Sequence, residues 1–274
     1  MSDQTIRYDP QSSIAVAREP VLWQQGRLRF SRLDSNEQVG EPPEGSNASG
    51  IRRPSQFELG ALRSLNIVLA LGSLIVLLPL ILLVALLVKL DSPGPALYRQ
   101  RRVGLDRRDP ATRGPAGGRR VSDIGGLPFE IVKFRSMSVD AETISGPIWA
   151  QENDPRITRV GRFLRRSRLD ELPQFWNVLK GEMSIVGPRP ERPAFVQQLR
   201  AEIGDYPLRH QVPPGITGWA QVNRRPDQTV DDVRIKVKYD LEYLQRRSLW
   251  FDLWIMLRTL PVMFERDHPV KPRH

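Results

Sequence analysis

The sequence predicts an α+β, mainly helical protein held to a membrane near its N-terminal side, and three observations predict it. Residues Leu65 to Val88 run for 24 positions without a charge, interrupted by a single proline. Helical periodicity returns after residue 160 and again after 249, where apolar side chains recur at three- and four-residue spacing. Between these segments only Phe129-Glu130-Ile131-Val132-Lys133-Phe134-Arg135 alternates as a short strand does.

Residues 1–60 read as a disordered or weakly ordered tail, because Gly40 to Gly50 has linker composition and little apolar material for a core. No signal peptide is expected at the polar start, Met1 to Asp9. Residues 61–90 read as a membrane helix, since roughly 20 apolar helical residues cross a hydrocarbon layer. Pro79 removes a hydrogen bond and breaks that helix. Basic residues flank it on both sides (Arg52, Arg53 and Arg63 before; Lys89, Arg99, Arg101 and Arg102 after), so the asymmetry that orients a span is missing. The residues leave open a re-entrant hairpin with both ends on one side and a kinked single span.

Residues 91–266 read as the catalytic domain, with 267–274 a C-terminal tail. Asp91-Ser92-Pro93-Gly94-Pro95 stops the helix, and Leu105 to Gly126 is a surface loop rich in Arg, Gly, Asp and Pro. From Val160 to Leu179 a helix is expected, with Leu169, Leu172, Trp176 and Leu179 on one face. Another amphipathic helix ends near Tyr243. In 249–264, Leu249, Trp250, Leu253, Trp254, Leu257 and Leu260 form an apolar arc, with Asp252 and Thr259 opposite. Two tryptophans on such an arc suit the headgroup boundary, and a helix packed into a soluble core fits the same pattern.

The net charge of +10, from 41 Lys+Arg against 31 Asp+Glu, favours anionic partners such as headgroups, nucleotide phosphates or nucleic acid. There is no cysteine, which excludes disulfides and Cys-type zinc sites, and three scattered histidines do not make a His-based metal site. No Walker-type glycine loop is present.

The residues with chemical promise cluster in Arg162 to Gln174. Four arginines precede the adjacent carboxylates Asp170 and Glu171, and Pro173 places that pair near a helix start. Carboxylates there can simply cap the helix. They can also attack phosphorus or hold Mg²⁺, while arginines neutralise a transferring phosphoryl group. In Gly187-Pro188-Arg189-Pro190 a stiff backbone presents Arg189 as a phosphate fork. Lys133 and Arg135, two apart on the strand, are expected to extend such a pocket. Pro213 to Asn223 is a glycine-punctuated loop, and its Trp219 could stack on a base or face lipid.

Six segments in order, Asp91-Ser92-Pro93-Gly94-Pro95, Lys133-Phe134-Arg135-Ser136-Met137, Asn153-Asp154-Pro155-Arg156-Ile157-Thr158, Leu169-Asp170-Glu171-Leu172-Pro173-Gln174, Val186-Gly187-Pro188-Arg189-Pro190 and Pro214-Gly215-Ile216-Thr217-Gly218-Trp219, resemble the bacterial sugar transferases. These are monotopic polyprenyl-phosphate phosphoglycosyl transferases, and the likeness covers roughly 60–265. The resemblance implies transfer of a sugar 1-phosphate, from a UDP-sugar such as UDP-glucose or UDP-galactose, onto undecaprenyl phosphate with release of UMP. It implies Asp170 as nucleophile, Glu171 as its partner in proton handling or Mg²⁺ binding, and Arg189, Lys133, Arg135 and Gln174 around the phosphates. It implies Mg²⁺ as cofactor and a re-entrant helix on the cytoplasmic face of the inner membrane. The family's helix breaks at a Ser-Pro pair, whereas here the position reads Leu78-Pro79, so the break rests on Pro79. The chain resembles the minimal form without further upstream spans. A nucleic acid is not an expected partner, since no aromatic-interleaved basic module is found; a homo-oligomer stays open. A catalytically idle anchor of a glycan-synthesis complex and a membrane-anchored nucleic-acid binder are the alternatives.

Overall fold

The computed structural model describes residues 51–52, 54–107, 125–139, 141, 154–224, 227 and 229–264. The expected tail up to residue 50, most of the Leu105–Gly126 loop, Asn153 and the C-terminal tail lie outside the described residues.

An apolar pair of helices comes first. α1 is Gln56–Val76, opened by a capping box in which Ser55 and Glu58 exchange side-chain and backbone hydrogen bonds. It begins five residues before the expected boundary because that cap, not the first apolar residue, sets its start. α2 is Leu78–Asp91. Leu77 separates them at φ −89° and ψ 3°, and Pro79 follows with no N–H to continue the ladder. The proline break therefore appears where the sequence places it.

Both outer ends of the pair dock on one body. Leu62, Asn66 and Ala70 of α1 are buried, as are Val84 and Val88 of α2. Arg63 donates to the carbonyls of Val178 (2.6 Å) and Leu179 (2.8 Å), and Asn66 Oδ1 accepts from Ile185 N at 2.7 Å. Asp91 Oδ2 accepts from Val160 N at 3.1 Å. Toward the break the side chains stand free: Val68, Ile75, Val76, Leu82, Leu83 and Leu86 are all more than half exposed. Among the described residues, α1 alone has the length and apolarity to cross a membrane.

β1 (Leu97–Val103) pairs antiparallel with β2 (Pro128–Phe134), Tyr98 opposite Lys133. α3 (Arg159–Ser167) follows, then a 3₁₀ turn at Leu169–Glu171 and α4 (Gln174–Lys180). The single helix expected over 160–179 is thus broken in two places. Arg168 adopts a left-handed conformation at φ 56°, and Pro173 cannot donate back to Leu169. The breaks also split the expected common face: Leu169 and Leu172 pack beside Val84, Val88, Phe134 and Leu164, Leu179 packs in the Ala70 cluster, and Trp176 is exposed.

β3 (Ser184–Val186) pairs parallel with β4 (Gly215–Thr217). Between them run α5 (Pro193–Glu202) and a 3₁₀ stretch at Tyr206–Gln211, and after them α6 (Trp219–Asn223), α7 (Val230–Arg246) and α8 (Leu249–Phe264). Trp219 neither faces outward nor offers a stacking face. It is 1% exposed, packs edge-on against Tyr239 and Phe251, and its Nε1 donates to Glu242 at 2.9 Å.

α8 leaves much of its apolar arc uncovered. Phe251, Asp252 and Ile255 are buried, whereas Trp250, Trp254, Leu257 and Leu260 of the apolar arc are exposed, Trp250 at 78%. Asp252 accepts from Tyr243 Oη at 2.9 Å, and the hydroxyls of Thr259 and Thr217 lie 2.8 Å apart. Asp252 and Thr259 meet the core beside Phe251 and Ile255, while four of the six arc residues look out together with Arg258.

Candidate active site

Three elements bring the candidate residues together. The 3₁₀ turn carries Asp170 and Glu171, β2 carries Lys133, and the loop after β3 carries Arg189. Glu171 is the hub: its Oε1 lies 2.7 Å from Lys133 Nζ and 2.5 Å from Arg189 Nη2. β2 is fixed against α4 by Asn177, which accepts from Val132 N at 3.0 Å and donates to Glu130 O at 2.7 Å. A polar residue inside the apolar face of α4 was the signal for Asn177, and sequence reasoning passed over it.

The Arg189 loop is held by close backbone approach. A Cβ on Gly187 would lie 2.4 Å from the carbonyl oxygen of Pro213, and one on Gly215 would lie 2.1 Å from Gly187 N. Only glycines let the two loops exchange the hydrogen bonds Gly187 N to Thr217 O and Gly215 N to Pro188 O. The carbonyl of Arg189 accepts from Arg209 Nη2 at 2.9 Å. Arg209 is buried and paired with Asp240 at 2.8 Å. Arg102 donates to Pro190 O at 2.9 Å, and Glu191 pairs with Lys236 at 2.8 Å. Burial pushes the Glu191 carboxyl up, but Lys236, Arg209 and Arg102 outweigh it and bring it down to about 2. Sequence reasoning missed this scaffold, because its members are far apart in the chain.

The two carboxylates of the pair titrate in opposite directions. Burial pushes Glu171 up, but Arg189 and Lys133 more than reverse it and hold the carboxyl well below its usual range. Asp170 is raised, first by burial and then by the neighbouring Glu171 charge, against Lys133, Arg189 and Arg165. Burial lowers Lys133 despite the attraction of Glu171, and the Glu171 charge raises Arg189. With Glu171 counted against its two cations, the cluster presents one net positive charge beside Asp170.

Gln174 heads α4 at 1% exposure, and its Nε2 has no partner among the described residues. Arg135 does not join Lys133, contrary to expectation. Its guanidinium donates to the carbonyls of Pro93 (2.5 Å), Ser92 (2.6 Å) and Val88 (3.4 Å), because the unsatisfied carbonyls at the end of α2 capture it.

No group of three or more His, Cys, Asp or Glu suited to a metal occurs among the described residues. Asp170 has no hydrogen bond or ion pair to its carboxylate there, whereas Glu171 would have to release a cation to bind metal. This donor set fits Mg²⁺ held chiefly by substrate phosphates and one carboxylate, as that ion commonly is.

A family model described as bacterial sugar transferase matches residues 58–266. The chain belongs to the bacterial sugar transferase family. Relatives include a UDP-N-acetylgalactosamine-undecaprenyl-phosphate N-acetylgalactosaminephosphotransferase of Aeromonas hydrophila, 42% identical over 86% of this chain and 48% of that protein. UDP-glucose:undecaprenyl-phosphate glucose-1-phosphate transferases of Escherichia coli K12 and Caulobacter vibrioides are 46% and 43% identical, over 72% and 75% of this chain and 39% and 70% of theirs. The chain thus spans about half the length or less of the first two. Every residue of the Glu171 hub lies within the stretch matched by the sugar transferase model.

Proposed function

We propose that this sugar transferase moves a hexose 1-phosphate from a UDP-sugar, UDP-glucose or UDP-galactose first, to undecaprenyl phosphate in two displacements, as a first membrane step of exopolysaccharide, O-antigen or related glycan synthesis. An Asp170 oxygen bonds to the β-phosphorus of the donor as the bond from that phosphorus to the bridging oxygen breaks. UMP leaves with the electron pair, and the phosphosugar stays on the aspartate. A phosphate oxygen of undecaprenyl phosphate then bonds to the same phosphorus, and the carboxylate is released. One diphosphate replaces another, so no nucleoside triphosphate is required.

The observation that carries this reading is the asymmetry of the pair: Glu171 is clamped by two cations, while Asp170 beside it is unclamped and faces one net positive charge. A clamped carboxylate is a poor nucleophile. An unclamped one at a cationic centre can attack an anionic phosphate without prohibitive repulsion. Arg189, on its braced loop, holds phosphate oxygens together with Lys133, and Gln174 has an amide donor to spare. Mg²⁺, when bound, neutralises diphosphate charge and helps the leaving phosphate depart.

The α1–α2 pair acts as a re-entrant hairpin, which its two docked ends support, with the catalytic domain on the cytoplasmic face of the inner membrane. The outward apolar arc of α8 lies in the headgroup layer, so donor and lipid acceptor meet at one depth. The purified chain incubated with labelled UDP-glucose and no acceptor should release about one UMP per molecule and gain a phosphohexose on the peptide containing Asp170. Product formation without that adduct would overturn the two-step reading. A panel of UDP-sugars scored by UMP release then assigns the hexose.

A further inference from the structure

We propose that the outer face of α3 is a docking surface for anionic phospholipid headgroups, an inference that rests on the membrane-attached reading above. α3 has two opposed sides. Val160, Gly161 and Leu164 face inward, with Leu164 fully buried near Val84, Val88 and Phe134. Arg159, Arg162, Phe163 and Arg166 are exposed, and their spacing of three, four and seven residues confines them to an arc of about 100°. Phe163, 60% exposed, stands among three guanidinium groups that have no ion-pair partner among the described residues.

The position of the helix decides what this face meets. Asp91, the last residue of α2, caps the first turn of α3 through Val160 N at 3.1 Å. α3 therefore begins where the apolar hairpin ends, which is the depth of lipid phosphates. A guanidinium fork matches a phosphodiester, and an exposed aromatic ring between forks suits the boundary between headgroup and acyl chain. An anionic leaflet attracts such a face, and each added cation strengthens the attraction.

The test uses the full chain in nanodiscs of phosphatidylcholine, alone or mixed with phosphatidylglycerol, and counts the lipids that stay bound after extraction by native mass spectrometry. The chain should retain phosphatidylglycerol in excess over its share of the mixture. Arg159→Gln with Arg162→Gln and Arg166→Gln should cut that excess by about tenfold. The same three positions changed to Lys should keep most of it. Lys180→Gln with Arg234→Gln and Lys238→Gln, the same charge loss elsewhere, should leave it unchanged. An equal loss in both glutamine triples, or in neither, overturns the proposal. So does loss of salt-sensitive DNA retardation in the α3 triple with phosphatidylglycerol retention intact, which would make the face a nucleic-acid surface. If wild type itself fails to enter nanodiscs, the membrane reading has failed and the docking surface falls with it.

Discussion

Arg189 Nη2 closes to 2.5 Å on the same Glu171 oxygen that Lys133 holds at 2.7 Å. One carboxylate thereby gathers two cations from a loop and a strand that are more than fifty residues apart in the chain. The charge on Glu171 also raises the neighbouring Asp170 carboxyl.

A first prediction follows from that coupling. In the proposed mechanism Asp170 must be ionised to attack, so activity should fall as pH drops through its raised pKa. Glu171→Gln removes the charge that raises it and frees two cations that lower it. Both changes move the acid limb of UMP release to lower pH. The rate at the plateau should fall by roughly 10²-fold, because Lys133 and Arg189 lose their common anchor. A pH–rate profile with an unmoved acid limb would refute the coupling.

The Arg209–Asp240 pair separates stability from positioning. Arg209→Met leaves Asp240 buried and unpaired, a change that typically costs about 3–5 kcal/mol. Adding Asp240→Leu should restore much of the stability. It does not restore the donor on the Arg189 carbonyl, so UMP release should stay depressed. Recovery of both in the double variant would show the pair to be structural only. Thermal unfolding and initial rates read the two effects.

Gly187→Ala forces a methyl group to within 2.4 Å of the Pro213 carbonyl, and backbone cannot swing aside as a flexible side chain can. The two loops must part, at a cost of about 2 kcal/mol or more, and Arg189 moves with them. Activity should fall further than stability alone accounts for, with KM for the UDP-sugar rising.

Topology is directly testable because the chain has no cysteine. Gln56→Cys and Pro95→Cys stand at exposed positions by the two outer ends of the apolar pair. A re-entrant hairpin exposes both to a membrane-impermeant maleimide from the same side of sealed vesicles, the cytoplasmic one. Labelling from opposite sides would establish a span instead.

Asp252 provides a stability test away from the site. Burial, against the hydrogen bond from Tyr243 and the nearby charge of Arg247, lifts its carboxyl to about 6 from an ordinary 3.8. Between those values the folded state binds more protons than the unfolded state, so stability falls as pH rises through the window and stays lower above it. Asp252→Asn can still accept from Tyr243 without carrying charge. It should raise unfolding stability near pH 7.5 by roughly 2 kcal/mol and flatten that slope, while leaving stability near pH 4 almost unchanged.

The sequence by itself determined what local rules can read. An uncharged run with a proline in it gives a broken apolar helix whatever surrounds it, and Asp170-Glu171-Leu172-Pro173 sets two carboxylates at a helix start by proline geometry. Periodicity likewise set out the apolar arc of α8, but not the side it would face. The tertiary structure alone decided that Arg135 leaves Lys133 for the carbonyls at and just beyond the end of α2, that Trp219 is buried, and that Glu171 rather than Asp170 collects the cations. Those outcomes depend on which distant carbonyl or charge stands within about 3 Å, and residue order along the chain does not encode that distance.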